Sequence, residues 1–172
     1  MPDAIDRFDD AFDDAWDAIR GNPAIDRLFY TASEAADFSV LWHTLGVAQA
    51  LVKNDPKVAI AISAALGVES ALINGPVKSL FKRSRPVQDT PRPYNLRQPK
   101  TSSFPSGHAS AAMVAAAMLS RDGGNRGWYA LAGLVATSRI HVRIHHASDV
   151  AGGVVAGAVL GAAARRVADA LT

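Results

Sequence analysis

Ile5, Phe8, Phe12, Trp16 and Ile19 recur at steps of three and four, with Asp6, Asp9, Asp10, Asp13, Asp14 and Asp17 filling most positions between them. That spacing predicts an amphipathic helix over residues 3–20. Gly21-Asn22-Pro23 breaks it, and a second short helix from about Ala24 carries Ile25, Leu28 and Phe29. From Phe38 to Val52 the chain is mostly apolar, with His43 and Gln49 the polar exceptions, and it stops at Lys53-Asn54-Asp55-Pro56. A further apolar run from Val58 to Val77 is interrupted by Glu69, Asn74 and Gly75-Pro76. Three more helices are expected at about 107–120, 127–142 and 149–168, divided by Arg121-Asp122-Gly123-Gly124-Asn125-Arg126 and by the polar stretch Ser138–Asp149. The pattern predicts an all-α protein: an amphipathic N-terminal segment, residues 1–35, ahead of a bundle of about five core helices, residues 36–172.

Five runs, at about 37–52, 57–77, 107–120, 127–142 and 149–164, are apolar enough to consider as membrane spans, although several are shorter than the ~20 residues a bilayer core needs. Short helices in a tight bundle are accommodated by local thinning of the bilayer. Gly153, Gly157 and Gly161 stand at four-residue steps. So much glycine is costly in a soluble helix, whereas a small-residue face lets helices approach closely in lipid. The expectation is therefore a multi-pass protein of the cell membrane, with a soluble helical domain as the alternative. The acidic polar face of the first helix lacks the Lys/Arg typical of an interfacial helix, which leaves two readings, a surface helix on the core or a helix lying on the membrane. With no basic n-region, the N-terminus does not read as a secretory signal peptide.

Composition narrows the chemistry. The chain of 172 residues has no cysteine, so neither a disulfide framework nor a thiolate metal site is available. Its formal charge of +2 is unevenly spread, with basic residues bunched between Lys78 and Lys100 and the first seventeen residues acidic. That asymmetry points to an anionic ligand held at one place; no base-stacking aromatic series suggests nucleic acid. Residues 78–105 read as a long loop, in which Lys78, Lys82, Arg83, Arg85, Arg92, Arg97 and Lys100 stand among Pro86, Pro91, Pro93, Pro99 and Pro105. Structureless stretches of that length tend to be functional. The second dense stretch offers Arg139, His145 and Asp149: an anion clamp, a nucleophile or base, and a group to orient it. Helix-end decoration produces the same spacing. His43 reads as a packing histidine, and Glu69 as a carboxylate needing a partner or a watery cavity.

Lys78 with Arg85-Pro86 reads K-x6-R-P, Pro105-Ser106-Gly107-His108 reads P-S-G-H, and Ser138-Arg139 with His145 and Asp149 reads S-R-x5-H-x3-D. In this order the three segments resemble the full signature of the type 2 phosphatidic acid phosphatase superfamily, which also includes soluble bacterial acid phosphatases and vanadium haloperoxidases. The resemblance covers residues 78–149 without departure at a signature position, and the N-terminal 35 residues lie outside it. It implies that Lys78, Arg85 and Arg139 are the cations that hold a phosphoryl group, with Ser106 as a hydroxyl donor and Gly107 opening a helix whose N–H groups reach the oxyanion. It implies further that His145 attacks phosphorus to give a phosphohistidine and that Asp149 orients it. His108 would protonate the leaving alkoxide and then activate water. Such chemistry is consistent with fixed cations in place of a metal, and with an unperturbed histidine pKa of about 6.5.

The implied activity is a membrane lipid phosphatase acting without metal or cofactor on a lipid phosphomonoester or pyrophosphate, such as phosphatidic acid, phosphatidylglycerol phosphate or a polyprenyl pyrophosphate. A soluble acid phosphatase and a vanadate-dependent haloperoxidase are the alternatives, and a non-enzymatic membrane protein with a degenerate site is disfavoured by the intact signature. Arg83, His141, Arg143 and His146 fall at variable motif positions and read as residues that flank the site or support those touching phosphate, while Arg92, Tyr94, Arg97 and Lys100 could contact a head group or simply be solvated. Membrane orientation is confounded, because the cations that would report it also hold phosphate. Oligomeric state has no signature in the sequence.

Overall fold

The computed structural model describes residues 3–88, 91–121 and 125–171. Among them every regular element is helical: α1 (Ala4–Asp17), α2 (Pro23–Ala35), α3 (Val40–Lys53), α4 (Pro56–Leu72), α5 (Gly107–Leu119), α6 (Gly127–His141) and α7 (Ala147–Ala170). The Asp122-Gly123-Gly124 part of the break expected before α6 lies outside the described residues.

Local chemistry sets the ends. Asp3 caps α1 and forms a capping box with Asp6; Asn22 and Asp55 cap α2 and α4, each followed by a proline whose missing N–H costs nothing at that position. Asn54, with φ 51°, closes α3 in the left-handed region. Between α2 and α3 the chain turns through Phe38 and Ser39, whose φ values of 53° and 59° are unusual outside glycine. Beyond α4 the helix loosens into a π turn over Ile73–Val77, where Gly75 leaves helical geometry and Pro76 withholds an N–H. Lys78 follows directly, and the described residues between there and Ser106 form no long helix.

Helix α5 is the centre of the bundle. Every residue from Ala109 to Leu119 except Met113 is buried, which its run of alanines permits because backbones on all sides can come close. Trp42, Ile62, Leu66, Val114, Leu119 and Val135 form the main apolar core around it. The α5–α7 contact is the tightest. A Cβ built at Gly153 would stand 2.4 Å from the Ser106 carbonyl oxygen and one at Gly157 2.3 Å from that of Ser110. The four-residue glycine steps are thus the groove into which α5 is pressed.

Outward, the bundle is apolar. Leu51, Val52, Ile60, Val68, Val155, Val159 and Val167 are all exposed. Two helical stretches, Pro56–Val77 of 22 residues and Ala147–Ala170 of 24, are long and apolar enough to cross a membrane. Only 22% and 33% of their apolar windows are buried, whereas the core helix of a soluble protein would be mostly buried.

Helices α1 and α2 lie against α6 and α7 at one end of this bundle. Trp16 Nε1 donates to His141 Nδ1 at 3.1 Å, so the proton of that buried imidazole is on Nε2, which donates to Asp26 at 2.8 Å. Arg20 donates to the carbonyl oxygens of Ile140 and His141. Of the two readings of α1, a helix packed on the core would turn its whole apolar stripe inward. Instead Asp9 is the one buried residue of α1, and Ile5 and Phe8 are about half exposed, at 54% and 48%.

Candidate active site

The end of α4, the start of α5, the end of α6 and the start of α7 meet at one end of the bundle, and the turn from α2 to α3 closes over them. Lys78, Gly107, His108 and His145 line one cavity there, of about 560 Å³, together with Glu69, Asn74, Arg97, Lys100 and the Phe38-Ser39 turn. The opposite end carries the α3–α4 turn and the approach to α6, where Gln49 Nε2 donates to the Leu119 carbonyl at 3.0 Å.

His145 sits in the short α6–α7 connection, held where Arg139 O accepts from both Ile144 N and His145 N at 3.1 Å. Its two ring nitrogens have separate environments. Nδ1 lies 3.5 Å from Asp149 Oδ2, and Nε2 lies 3.1 Å from Arg85 Nη1. With the proton on Nδ1, Arg85 donates to Nε2, and the nitrogen that faces the cations carries the lone pair. Burial lowers the His145 pKa to about 3, and Arg139 and Arg85 push it the same way against the pull of Asp149. The imidazole is therefore neutral at ordinary pH, as a nucleophile must be.

Asp149 is wholly buried behind His145 and is multiply engaged. Oδ1 accepts from Arg83 Nη1 at 2.7 Å; Oδ2 accepts from Ser103 Oγ at 2.5 Å and from His146 N at 2.9 Å. As the third residue of α7 it also completes a capping box. The helix-cap reading and the orienting reading thus describe the same side chain.

The cations gather around the imidazole. Arg85 also donates to the carbonyl oxygens of Ile144, Thr101 and Ser102, and its Nε has no hydrogen-bond partner among the described residues. Arg139, 1% exposed, donates through Nη1 to Ser33 Oγ, while its Nε and Nη2 are buried without a partner among the described residues. Unsatisfied guanidinium donors inside a protein are costly, and an anion is the partner that removes that cost. Lys78 is 7% exposed. Burial lowers its pKa to about 8, and repulsion from Arg85 and Arg139 acts in the same direction.

Ser106 is the N-cap of α5, fully buried, its Oγ 3.5 Å from Ala109 N and its own N–H given to Asp149 O at 2.9 Å. Gly107 opens α5 on the cavity wall, close beside Asn74. His108 Nε2 stands 2.9 Å from Asp37 Oδ1. Burial pushes the Asp37 carboxyl up, but the His108 hydrogen bond and the charges of His108, Arg139 and Arg97 hold it below the usual carboxylate range.

Asp37, Ser103 and Asp9 escaped the sequence reading as site residues, whereas Arg83, which reads from the sequence as flanking or supporting the motif, donates to Asp149. Asp37 and Asp9 belong to no motif, Asp9 stands among many aspartates, and Ser103 is one of a run of hydroxyl residues before the P-S-G-H segment. Only the fold brings them to the histidines. His43 shares a hydrogen bond with Ser63 Oγ at 3.0 Å and lines the same cavity. Glu69 is buried on the cavity wall with Oε1 unpartnered among the described residues. Arg97 stacks over Phe38 at 4.6 Å, and Arg92 donates to the Val142 and Arg143 carbonyls, bracing the loop. His146 caps α7, and Arg143 pairs with Asp17 at 2.7 Å.

Comparison with known proteins gives three concordant results. The family model of the PAP2 superfamily matches residues 57–172. Decaprenylphosphoryl-5-phosphoribose phosphatase of Mycobacterium tuberculosis, in two strains, is 40% identical over 87 residues, covering 50% of this chain and 48% of the relative. The chain thus spans about half the length of the curated relatives it matches. A solved structure, a transmembrane PAP2-type phosphatidylglycerolphosphate phosphatase from Bacillus subtilis, superposes with a TM-score of 0.75 at 21% identity. That likeness of fold covers 100% of this chain and 90% of the other, so it takes in α1 and α2 as well as the five-helix core.

Proposed function

From the premise that this chain belongs to the PAP2 superfamily, we propose that it is a membrane lipid phosphatase working through a phosphohistidine at His145. The observation that carries the reading is His145 itself, a neutral imidazole backed by Asp149 with Nε2 turned to Arg85 beside buried, unpartnered guanidinium donors.

Nε2 of His145 attacks phosphorus, the N–P bond forms, and the P–O bond to the lipid alkoxide breaks. A phosphoryl group entering between Arg85 and His145 takes the guanidinium donors onto its oxygens and frees the lone pair. Lys78, Arg85 and Arg139 stabilise the charge on the equatorial oxygens, joined by Ser106 Oγ and the first N–H groups of α5. Asp149 accepts from Nδ1 as the ring becomes cationic, and the 3.5 Å separation tightens with substrate. His108 gives its proton to the alkoxide and takes one from the water that cleaves the N–P bond. Burial, with the charges of Arg139 and Lys78, lowers the His108 pKa to about 4 rather than leaving it at the ordinary histidine value, and Asp37 opposes that shift, so the proton is held on His108 only once the negative phosphate has entered between the cations.

The catalytic charge is supplied by the chain's own cations, and the oxygens of Asp149 already have partners, so turnover should persist in EDTA. Orthovanadate should inhibit as a trigonal-bipyramidal phosphate mimic. Loss of turnover on chelation with recovery in magnesium would show that Lys78, Arg85 and Arg139 do not supply the catalytic charge by themselves.

The pH profile follows from the charged form of lysine being the one that binds phosphate. Lys78 is protonated below its pKa of about 8 and loses its charge above it, so kcat/KM should fall on the alkaline side from about pH 8. His145, at about 3, adds no acid limb above that value. Lys78→Arg should abolish the alkaline limb, since arginine stays charged. An unchanged limb in that variant would assign it to another group.

The lipid and its head group are the finer part of the proposal. The named substrate of the mycobacterial relative makes a polyprenylphosphoryl phosphoribose the first compound to test, beside phosphatidylglycerol phosphate, phosphatidic acid and a polyprenyl pyrophosphate. Phosphate release from each in mixed micelles, by the purified chain, tests the reading; no release from any of them ends it. Exposed apolar faces on α4 and α7 favour a multi-pass place in the cell membrane over the soluble phosphatase alternative.

A further inference from the structure

Asp9 is buried because it is used. Oδ1 accepts from Ser148 N at 2.7 Å, and Oδ2 accepts from Ser148 Oγ at 2.7 Å and from Arg83 Nη2 at 2.5 Å. The other end of the same guanidinium, Arg83 Nη1, donates to Asp149 Oδ1 at 2.7 Å and to Ser148 Oγ at 2.6 Å. One cation is thus shared by two carboxylates, one on α1 and one behind His145. Asp9 lies outside the stretch that the family model matches, and Arg83 is at a variable position of its motif.

We infer that Asp9 is a positioning residue for the phosphoryl-transfer step, acting on His145 through Arg83 and Asp149; the inference rests on the phosphatase reading above. Two carboxylates and one guanidinium leave one net negative charge, and its place is beside Nδ1 of His145. That charge stabilises the imidazolium character that grows on the ring as the N–P bond forms. Without Asp9, Arg83 belongs to Asp149 alone, the pair is neutral, and His145 loses the charge it works against. Asp9 has a second hold on the same place, since Ser148 N, which it fixes, is the amide preceding Asp149. Helix α1 is on this account a part of the catalytic apparatus, which explains why its one buried position is an aspartate while its aromatic residues remain partly outside.

The test uses the full chain and a lipid phosphate that the wild type hydrolyses. Asp9→Asn keeps one acceptor oxygen, which can still take the Ser148 N–H, but loses the oxygen that faces Arg83 together with the charge, and Asp9→Ala removes every contact. Partners that orient a working histidine are worth about 10–100-fold in activity, and both variants should lose kcat to that extent with KM within about twofold and with less phosphoenzyme trapped at steady state. Asp14→Ala, on the exposed side of the same helix, should match the wild type. In an Arg83→Gln background Asp9→Asn, which retains an oxygen for Ser148 N, should cost little further, because the cation it balances is gone. Wild-type kcat in folded Asp9→Asn overturns the inference, as does a fully additive loss in the double variant. If Asp9→Ala does not fold, Asp9→Asn decides. A wild type without activity on any lipid phosphate would overturn the phosphatase reading instead, a result distinct from active Asp9 variants.

Discussion

His145→Ala should reduce lipid phosphate hydrolysis to background, a fall of at least about 10⁴-fold, and no phosphoenzyme should be trapped from labelled substrate. The expectation follows from the geometry of Nε2, the one ring nitrogen that has its lone pair toward the cation cluster while the other faces Asp149. His108 differs in kind. It is paired with Asp37 on the cavity wall, and its proposed task is to move protons to and from oxygen. His108→Ala should cost about 10²–10⁴-fold on a lipid substrate, the usual worth of a general acid, and far less on nitrophenyl phosphate, whose leaving group departs without a proton. Phosphohistidine should accumulate in that variant, because the water that resolves it has lost its base. Mapping the trapped phosphate to residue 108, or finding burst-phase phosphoenzyme in His145→Ala, would reverse the two roles and sink the assignment.

The helices were legible because their signals are local. Caps at Asp3, Asn22, Asp55 and Ser106 and breaks at Asn54 and Gly75-Pro76 stand within a few residues of the ends they set. The three signature segments were legible for a similar reason, each being a short fixed spacing, and the fold brings Lys78, Gly107, His108 and His145 to one cavity with Arg85 in contact with His145. What the sequence did not disclose are pairings between distant segments. Asp37 meets His108 across 71 residues and Asp9 meets Arg83 across 74, and neither aspartate differs from its neighbours in any pattern along the chain. That α1 turns Asp9 inward together with Trp16 was hidden for the same cause. Periodicity ranks positions by hydrophobicity, and a charge buried against an opposite charge from another segment runs against that ranking.

Gly157→Ala should be among the most destabilising single substitutions in the molecule and should also abolish activity. Its Cβ would stand 2.3 Å from the Ser110 carbonyl oxygen and 2.8 Å from Met113 Cβ, and a backbone atom of a packed helix cannot swing aside as a flexible side chain can. Helix α7 must then move off α5. Overpacking commonly costs about 1–3 kcal/mol, and a contact this short against main chain should exceed that range. The separation reaches the chemistry because α5 begins with Ser106, Gly107 and His108 while α7 begins beside His145 and carries Asp149 in its first turn. Ser106 N donates to Asp149 O at 2.9 Å, so the two helices are tied at the site itself. Gly133→Ala is the matched control: nothing lies within 4 Å of the Cβ it would add. There the better helix propensity of alanine, about 1 kcal/mol, should leave stability equal or higher with activity retained. Thermal unfolding in detergent with lipid phosphate turnover on the same samples separates the two, and a Gly157→Ala protein with wild-type melting temperature and rate would show that the α5–α7 groove is looser than its glycine spacing requires.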